Sequence, residues 1–527
     1  MFAVRILPLL ASVSLTYALF PNGYNNPGLP PRPLLPVVPA PDSLASNAFR
    51  LSNLDEEHPP LNATYYFDQY IDHNVPTLGT FKQRYWVSWE FYEPGGPMIL
   101  STPGESNAEG QTDPLTIYTI NGQIAQQQKG ATIVIEHRFY GLSNPYPDLS
   151  VASFKYHTID QAINDLAFFA KSVILPFPGG DKVSPAYAPW VLIGGSYAGA
   201  LTAFTLRQYP DVFWAGYASS AVVQGIVDFW QYFEPVRQFM PRNCSNDVQR
   251  VIAHWDEIID SGNETALNEL KALFGMSGVV HTDDVVNELT SPLYTWQSLN
   301  LTSGGGAFYD FCDVLEVNNG ISSPEYGWGL GHALAAWANY SKSKLSSCID
   351  DCLSTYNTSQ PYWTSTAVNN WVRSWSWTVC TEMGFFQVSA PYGQPTLVSR
   401  LLNATYYERK CQQMFPEAFP RPPVPNVDAT NKAYGGYYLR AERLFTATGL
   451  RDPWRDATVS ADGIHIESTP EQPIVESDGF HCSDLETANG LADPTVLNVQ
   501  TQALGYVKEW LRNWKAPGAN ITSTNEF

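Results

Sequence analysis

The sequence predicts an α/β fold in two parts, a sheet-and-helix core interrupted by a long, mainly helical insertion. Three observations carry that expectation. Short apolar runs alternate with helical patterns over residues 96–223, cysteines and tryptophans crowd the stretch that follows, and strand patterns return after residue 434. Strands that alternate with helices and end in polar loops indicate a parallel sheet with helices packed on it. At 527 residues the chain is also too long for one simple core.

Taken in order, the chain opens on "MFAVRILPLLASVSLTYALF", with one arginine, an apolar run and small residues near Ala18. That pattern predicts a secretory signal peptide over residues 1–18. Residues 19–42 read as a Pro-rich linker or propeptide, because the eight prolines between Pro21 and Pro41 bar helix and central strand alike. A first core part is expected over 43–225. In it, "GPMILSTPGE" (96–105), "GATIVIEHRFYG" (130–141), "PWVLIGG" and "WAGYASSAVV" (214–223) supply strands. "TIDQAINDLAFFAKSVI" (158–174) and "LTAFTLRQYP" supply helices by their apolar spacing. The insertion spans 226–425 and includes the helical pattern "NDVQRVIAHWDEIIDSG" (246–262). A second core part, 426–527, holds strand patterns in "LRAERLFTATGLRDPW" and "EQPIVESDGFHC", then the amphipathic helix "VLNVQTQALGYVKEWLRNW".

Composition narrows the class. Hydrophobic residues make up 44% and charged residues 15%, as in a globular chain. A formal charge of −21 argues against nucleic acid or anionic membranes as partners, and it suits acidic surroundings or ordinary solubility alike. No run after the leader reaches the roughly 20 apolar residues of a membrane helix. Eight sequons (Asn62, Asn243, Asn263, Asn300, Asn339, Asn357, Asn403 and Asn520) fit a secretory route and predict glycosylation. Of seven cysteines, six lie in the insertion. Three bridges are expected there, among Cys244, Cys312, Cys348, Cys352, Cys380 and Cys411, with Cys482 unpaired; spacing leaves the pairing open. No metal or cofactor is expected. Cys348-x-x-x-Cys352 lacks a second ligand pair at zinc spacing.

The chemistry begins at "GGSYAGA". A nucleophile on a strand-to-helix turn needs small neighbours, as in the elbow motif Gly-x-Ser-x-Gly. Here Gly194-Gly195-Ser196-Tyr197-Ala198 follows an apolar strand and precedes a helix, with alanine in place of the last glycine. The plainer alternative is a glycine-rich turn whose serine caps the helix. An elbow serine needs a base, and the base an orienter; in this order both follow the serine, each in a loop after a late strand. Asp452 and His481 occupy those positions. Asp456, Asp478 and Asp484 rival the first, and His465, on a hairpin-like segment, rivals the second. A turn aspartate and a surface histidine are the plainer readings.

"GGSYAGAL", "GLRDPW" and "DGFHCSDL" resemble the nucleophile, acid and base motifs of the serine peptidases that include lysosomal prolylcarboxypeptidase and dipeptidyl peptidase II. "QYIDHNVPTLGTFKQRYWV" (69–87), "STPGESNAEG" (101–110) and "EHRFYG" (136–141) are similar to further motifs of that family, in the same order. The similarity spans roughly residues 60–520, and the secreted fungal acid prolyl endopeptidases of the family are the most alike. The resemblance implies an α/β-hydrolase core under a helical, disulfide-bearing cap, and cleavage on the carboxyl side of proline, sometimes alanine. It implies Ser196 as nucleophile, Asp452 as orienter and His481 as general base and then acid. Tyr197 would give one oxyanion N–H, as the residue after the nucleophile, and Gly104 the second. Trp454 matches a tryptophan that lines the proline pocket in relatives; packing in the core is its plain alternative. Glu105 is a candidate anchor for a substrate amine. Glu136, His137 and Arg138 read as a buried strand-end network.

Two departures shape the expected mode. Several exopeptidase relatives carry a second histidine where this chain has Cys482, and no acidic anchor for a free amine stands out. An acid-active endopeptidase acting through an acyl-enzyme is therefore expected, with proline-containing peptides or proteins as partners. An exopeptidase of the same family is the alternative. A serine carboxypeptidase or esterase, or a non-catalytic binding protein on this fold, follows further behind. Location is expected to be extracellular or an acidic vacuolar or lysosomal compartment, and the chain a monomer or homodimer. Acid activity requires an unprotonated base, against histidine's ordinary pKa of about 6.5. Burial beneath the cap is expected to hold His481 down against the pull of Asp452.

Overall fold

The computed structural model describes residues 59–302, 305–345 and 353–516. The expected leader and Pro-rich segment, Asn520, Cys348 and Cys352 lie outside those residues.

Eight strands form the central sheet: β1 (Tyr65–Tyr70), β2 (Thr80–Ser88), β3 (Met98–Ser101), β4 (Ala131–Ile135), β5 (Trp190–Gly195), β6 (Ala215–Ser219), β7 (Leu444–Gly449) and β8 (Ile474–Ser477). Their order is β1-β2-β4-β3-β5-β6-β7-β8. From β4 to β8 every neighbouring pair is parallel, whereas β1 pairs antiparallel with β2 and β2 with β4. The sheet is thus mixed rather than wholly parallel, and its first two strands were not expected from the sequence. β1 exposes every second residue, as an edge strand does, so it has no long apolar run to announce it.

The inner strands carry the opposite signature. β3 to β6 are buried along their whole length and consist of aliphatic, small and aromatic residues, as strands covered on both faces must. One face is covered by α1 (Ile120–Gln128) and by the C-terminal helix Pro494–Arg512, whose Val499, Ala503 and Val507 pack with Ile99, Ile193 and Phe445. The other face is covered by α2 (Ile159–Ser172) and α3 (Ser196–Gln208). α2 starts where Thr158 accepts the Gln161 N–H, and it buries Ile159, Ile163, Leu166 and Phe169.

Between β6 and β7 the chain leaves the sheet and forms a helical cap, so the fold is an α/β-hydrolase core with an inserted helical element. Its larger helices include α4 (Arg242–Ser261), α5 (Thr282–Tyr294), α6 (Ala307–Glu316), α7 (Leu330–Lys344), α8 (Trp371–Thr378) and α9 (Ala404–Met414). Cys244–Cys312 joins α4 to α6, and Cys380–Cys411 joins the turn after α8 to α9. Cys482 is a buried free thiol. Cap and core share one apolar cluster running from Leu100 and Leu192 in the sheet to Trp255, Trp296 and Trp337 in the cap. Among the described residues, no helix is long and apolar enough to cross a membrane.

Candidate active site

β5 ends at Gly195 and α3 begins at Ser196, whose φ of 59° lies in the left-handed region. A side-chain-bearing residue there costs on the order of 1–3 kcal/mol and persists only where its surroundings enforce it. They do so through close backbone approach. A Cβ on Gly194 would lie 2.2 Å from the Ala198 carbonyl oxygen, and one on Gly199 would lie 2.8 Å from that of Ser219. The crowded positions are therefore 194 and 199, which is why alanine at 198 is accommodated. Ser196 thus stands at the N-terminus of α3, where backbone N–H groups have no helical partner.

Asp452 follows β7 and His481 follows β8. His481 Nδ1 lies 2.8 Å from Asp452 Oδ1, and the Trp454 backbone N–H donates to the same oxygen at 2.8 Å. A carboxylate accepting from Nδ1 fixes the tautomer, leaving Nε2 as the ring's acceptor. Both side chains are fully buried, and Ser196 is 3% exposed. Neither Ser196 Oγ nor His481 Nε2 has a hydrogen-bond partner among the described residues. The loop after β6 ties the Ser196 and His481 segments together. Val222 N–H donates to the Ser196 carbonyl (3.4 Å), and Cys482 N–H donates to Ser220 Oγ (2.9 Å).

Burial pulls the His481 pKa down, but the charge of Asp452, the neighbouring Cys482 and the Asp452 hydrogen bond outweigh it. The ring ends well above histidine's ordinary 6.5. This reverses the expectation from sequence that burial wins, because the carboxylate is buried with the ring and its charge is poorly screened.

The rivals are occupied elsewhere. Asp456 accepts the Asp462 N–H (2.7 Å), Asp478 pairs with Arg451 (3.1 Å to Nε), and Asp484 accepts the hydroxyls of Tyr217 (2.5 Å) and Ser219 (2.8 Å). His465 is exposed in an irregular segment, not on a hairpin.

Gly104 has a φ of 68°, and a Cβ there would lie 3.3 Å from the Ala198 Cβ and 3.5 Å from the Tyr197 ring, so this loop rests on the elbow. Its own N–H donates to Thr102 Oγ1 (3.3 Å), a bond that an oxyanion would have to displace. Glu105 is buried beside it, and after burial the charges of Glu382 and Glu105 push the Tyr197 phenol pKa well above 10. Trp454 is fully buried, with its ring centroid 6.3 Å from that of His481 and 5.2–5.6 Å from Phe229, Tyr232 and Phe385. Those three aromatic residues come from the insertion, and nothing in their sequence surroundings marks them.

Glu136 and Arg138 form buried ion pairs at the end of β4. Glu136 receives Arg84 (2.7 and 2.9 Å), and Arg138 grips Asp165 and the carbonyls of Tyr70, Ile71 and Tyr156. His137 Nε2 meets the Tyr197 hydroxyl at 3.3 Å, and burial takes its pKa down to about 4. Among the sequons, Asn62, Asn263, Asn339 and Asn403 are exposed, while Asn243, Asn300 and Asn357 are partly buried.

Comparison with known proteins agrees with this architecture. The family described as Serine carboxypeptidase S28 matches residues 68–503. "Serine protease vicPa" of Bipolaris victoriae (strain FI3) is 33% identical over 477 residues, covering 84% of this chain and 88% of the relative. "Probable extracellular serine carboxypeptidase" of Arthroderma benhamiae is 33% identical over 531 residues, covering 91% and 72%. "Lysosomal Pro-X carboxypeptidase" of Homo sapiens is 26% identical over 489 residues, covering 85% and 88%. The chain belongs to the S28 family and is a serine-type peptidase.

Proposed function

We propose that this S28 peptidase cleaves peptide bonds on the carboxyl side of proline, within chains rather than at their ends, through an acyl-enzyme on Ser196. His481 takes the serine proton through Nε2 and later returns it to the leaving amine, while Asp452 holds the ring and stabilises imidazolium. The Tyr197 N–H and the Gly104–Glu105 loop stabilise the oxyanion. The single observation that carries the specificity is the aromatic group formed by Trp454, Phe229, Tyr232 and Phe385 next to His481. Flat apolar rings complement a pyrrolidine in shape and desolvate it at little cost.

Cys482 at the place of the exopeptidases' second histidine supports the internal mode. The names of two relatives support the second reading, a carboxypeptidase, one of them a Pro-X carboxypeptidase, which would release only the C-terminal residue of an unblocked peptide. The raised His481 pKa sets the lower edge of activity above that of free imidazole, so acid activity is not part of this proposal. The route is secretory, with residues 1–18 removed, residues 226–425 acting as the cap and the exposed sequons glycosylated. Mass spectrometry of a long, doubly blocked peptide containing proline and alanine tests the reading. Internal cuts after proline are expected; cuts that ignore proline, or none, refute it.

A further inference from the structure

Resting on that assignment of Asp452 and His481, we propose that Trp296 and Gln297, adjacent residues of the cap, position the catalytic acid and base from outside the hydrolase core. Both lie in a short turn (Thr295–Ser298) directly after α5, and both are buried, at 0% and 1% exposure. Trp296 Nε1–H donates to the Arg451 carbonyl at 2.8 Å, and its ring meets Phe480 edge to face, with centroids 5.2 Å apart. Gln297 Oε1 accepts from Trp454 Nε1–H at 2.8 Å and from the Tyr232 hydroxyl at 3.0 Å. An indole nitrogen only donates, so the atom facing it is the amide oxygen and the amide's orientation is settled.

The four partners are not scattered. Arg451 and Trp454 flank Asp452, Phe480 immediately precedes His481, and Tyr232 belongs to the aromatic group around Trp454. Trp454 also donates its backbone N–H to Asp452 Oδ1. One turn of the cap therefore holds both sides of the acid and the residue before the base. An apolar side chain at 297 would leave the buried Trp454 Nε1–H and Tyr232 hydroxyl without this acceptor, so the glutamine fixes where both rings sit rather than only filling space. Trp296 and Gln297 touch none of the reacting atoms and are positioning residues.

The test uses the full chain carrying Gln297→Leu, Gln297→Glu or Trp296→Phe, assayed on a blocked proline peptide beside wild type and Ser196→Ala. Positioning predicts that Gln297→Leu lowers kcat by roughly 10–100-fold with a smaller change in KM. The acidic limb of kcat/KM should move down as Asp452 loosens from the ring. Gln297→Glu, which keeps an acceptor oxygen, should recover most of kcat, and Trp296→Phe, which also removes buried packing, should lower it in enzyme still folded at the assay temperature. Wild-type kcat and an unmoved limb in Gln297→Leu overturn the proposal, as do equal losses in the leucine and glutamate variants. If Gln297→Leu does not fold, Trp296→Phe decides by the same readouts. Activity retained in Ser196→Ala would instead strike the assignment of the nucleophile.

Discussion

Two histidine–aspartate pairs lie among the described residues, and they differ in what neutralises the carboxylate. His73 Nε2 meets Asp165 at 2.7 Å, but Asp165 is already gripped by the Arg138 guanidinium through two hydrogen bonds, of 2.5 and 2.6 Å. His481 Nδ1 meets Asp452 at 2.8 Å, and there the other donor is only a backbone N–H. In the first pair a permanent cation balances the charge and the ring adds one more bond to a structural knot. In the second, the ring is the only side chain among the described residues that is ion-paired with the buried carboxylate. The same contact thus ties the segments after β1 and β4 to α2 in one place, and in the other it leaves a ring that can take up a proton, as the proposed base must.

The largest effect that can break this contrast is at the nucleophile. Ser196→Ala is expected to reduce turnover about a million-fold with the circular dichroism spectrum unchanged, whereas His73→Gln should leave kcat at the wild-type level. Next come the two aspartates. Asp452→Asn should cost about 10⁴ in kcat with the fold intact. Asp165→Asn should instead cost about 3–5 kcal/mol of stability, read by urea unfolding, because it strands a buried guanidinium. Equal kinetic losses from both would erase the distinction.

A pH profile sharpens it further. Because Asp452 holds the His481 pKa well above 6.5, kcat/KM for the free enzyme should fall as pH drops through a limb above that value. Asp452→Asn should bring the limb down; a wild-type limb at or below 6.5 would contradict the raised pKa. The smallest effect concerns buried or half-buried carboxyls with neither ring nor guanidinium in an ion pair among the described residues. Burial raises Glu486 to about 8, and Glu288, Glu316 and Glu382 to about 7. These groups bind protons more tightly folded than unfolded, so their contribution is complete below the ordinary glutamate pKa of about 4.3 and is lost as pH rises through about 7–8. The melting temperature should decline from pH 4 to 8, and Glu486→Gln should flatten that decline.

Much of the core was legible because its signals are local. Val191–Gly195 is an apolar run that stops at small residues, and the steric demand at Gly194 and Gly199 is written in the neighbouring positions themselves. Asp452 and His481 could be chosen by their place after apolar strands, although nothing local separates Asp452 from Asp456, Asp478 or Asp484. β1 escaped because an edge strand alternates in exposure and carries polar residues such as Asp68 and Gln69, and β2 because Lys82, Gln83 and Arg84 interrupt its apolar run although most of the strand is buried. Trp296 and Gln297 escaped because their hydrogen-bond partners lie 65 to 157 residues away in the chain.

From the sequence alone follow the strand–helix alternation, the strained serine turn and the crowding of cysteines in the insertion, since each depends on residues a few positions apart. Tertiary structure alone decides which aspartate meets the ring, that its carboxylate has no guanidinium partner among the described residues, and that the imidazole pKa rises rather than falls. Those outcomes depend on which distant charges are buried together. Coulomb energy in a poorly screened interior depends on separation in space, which chain position does not specify.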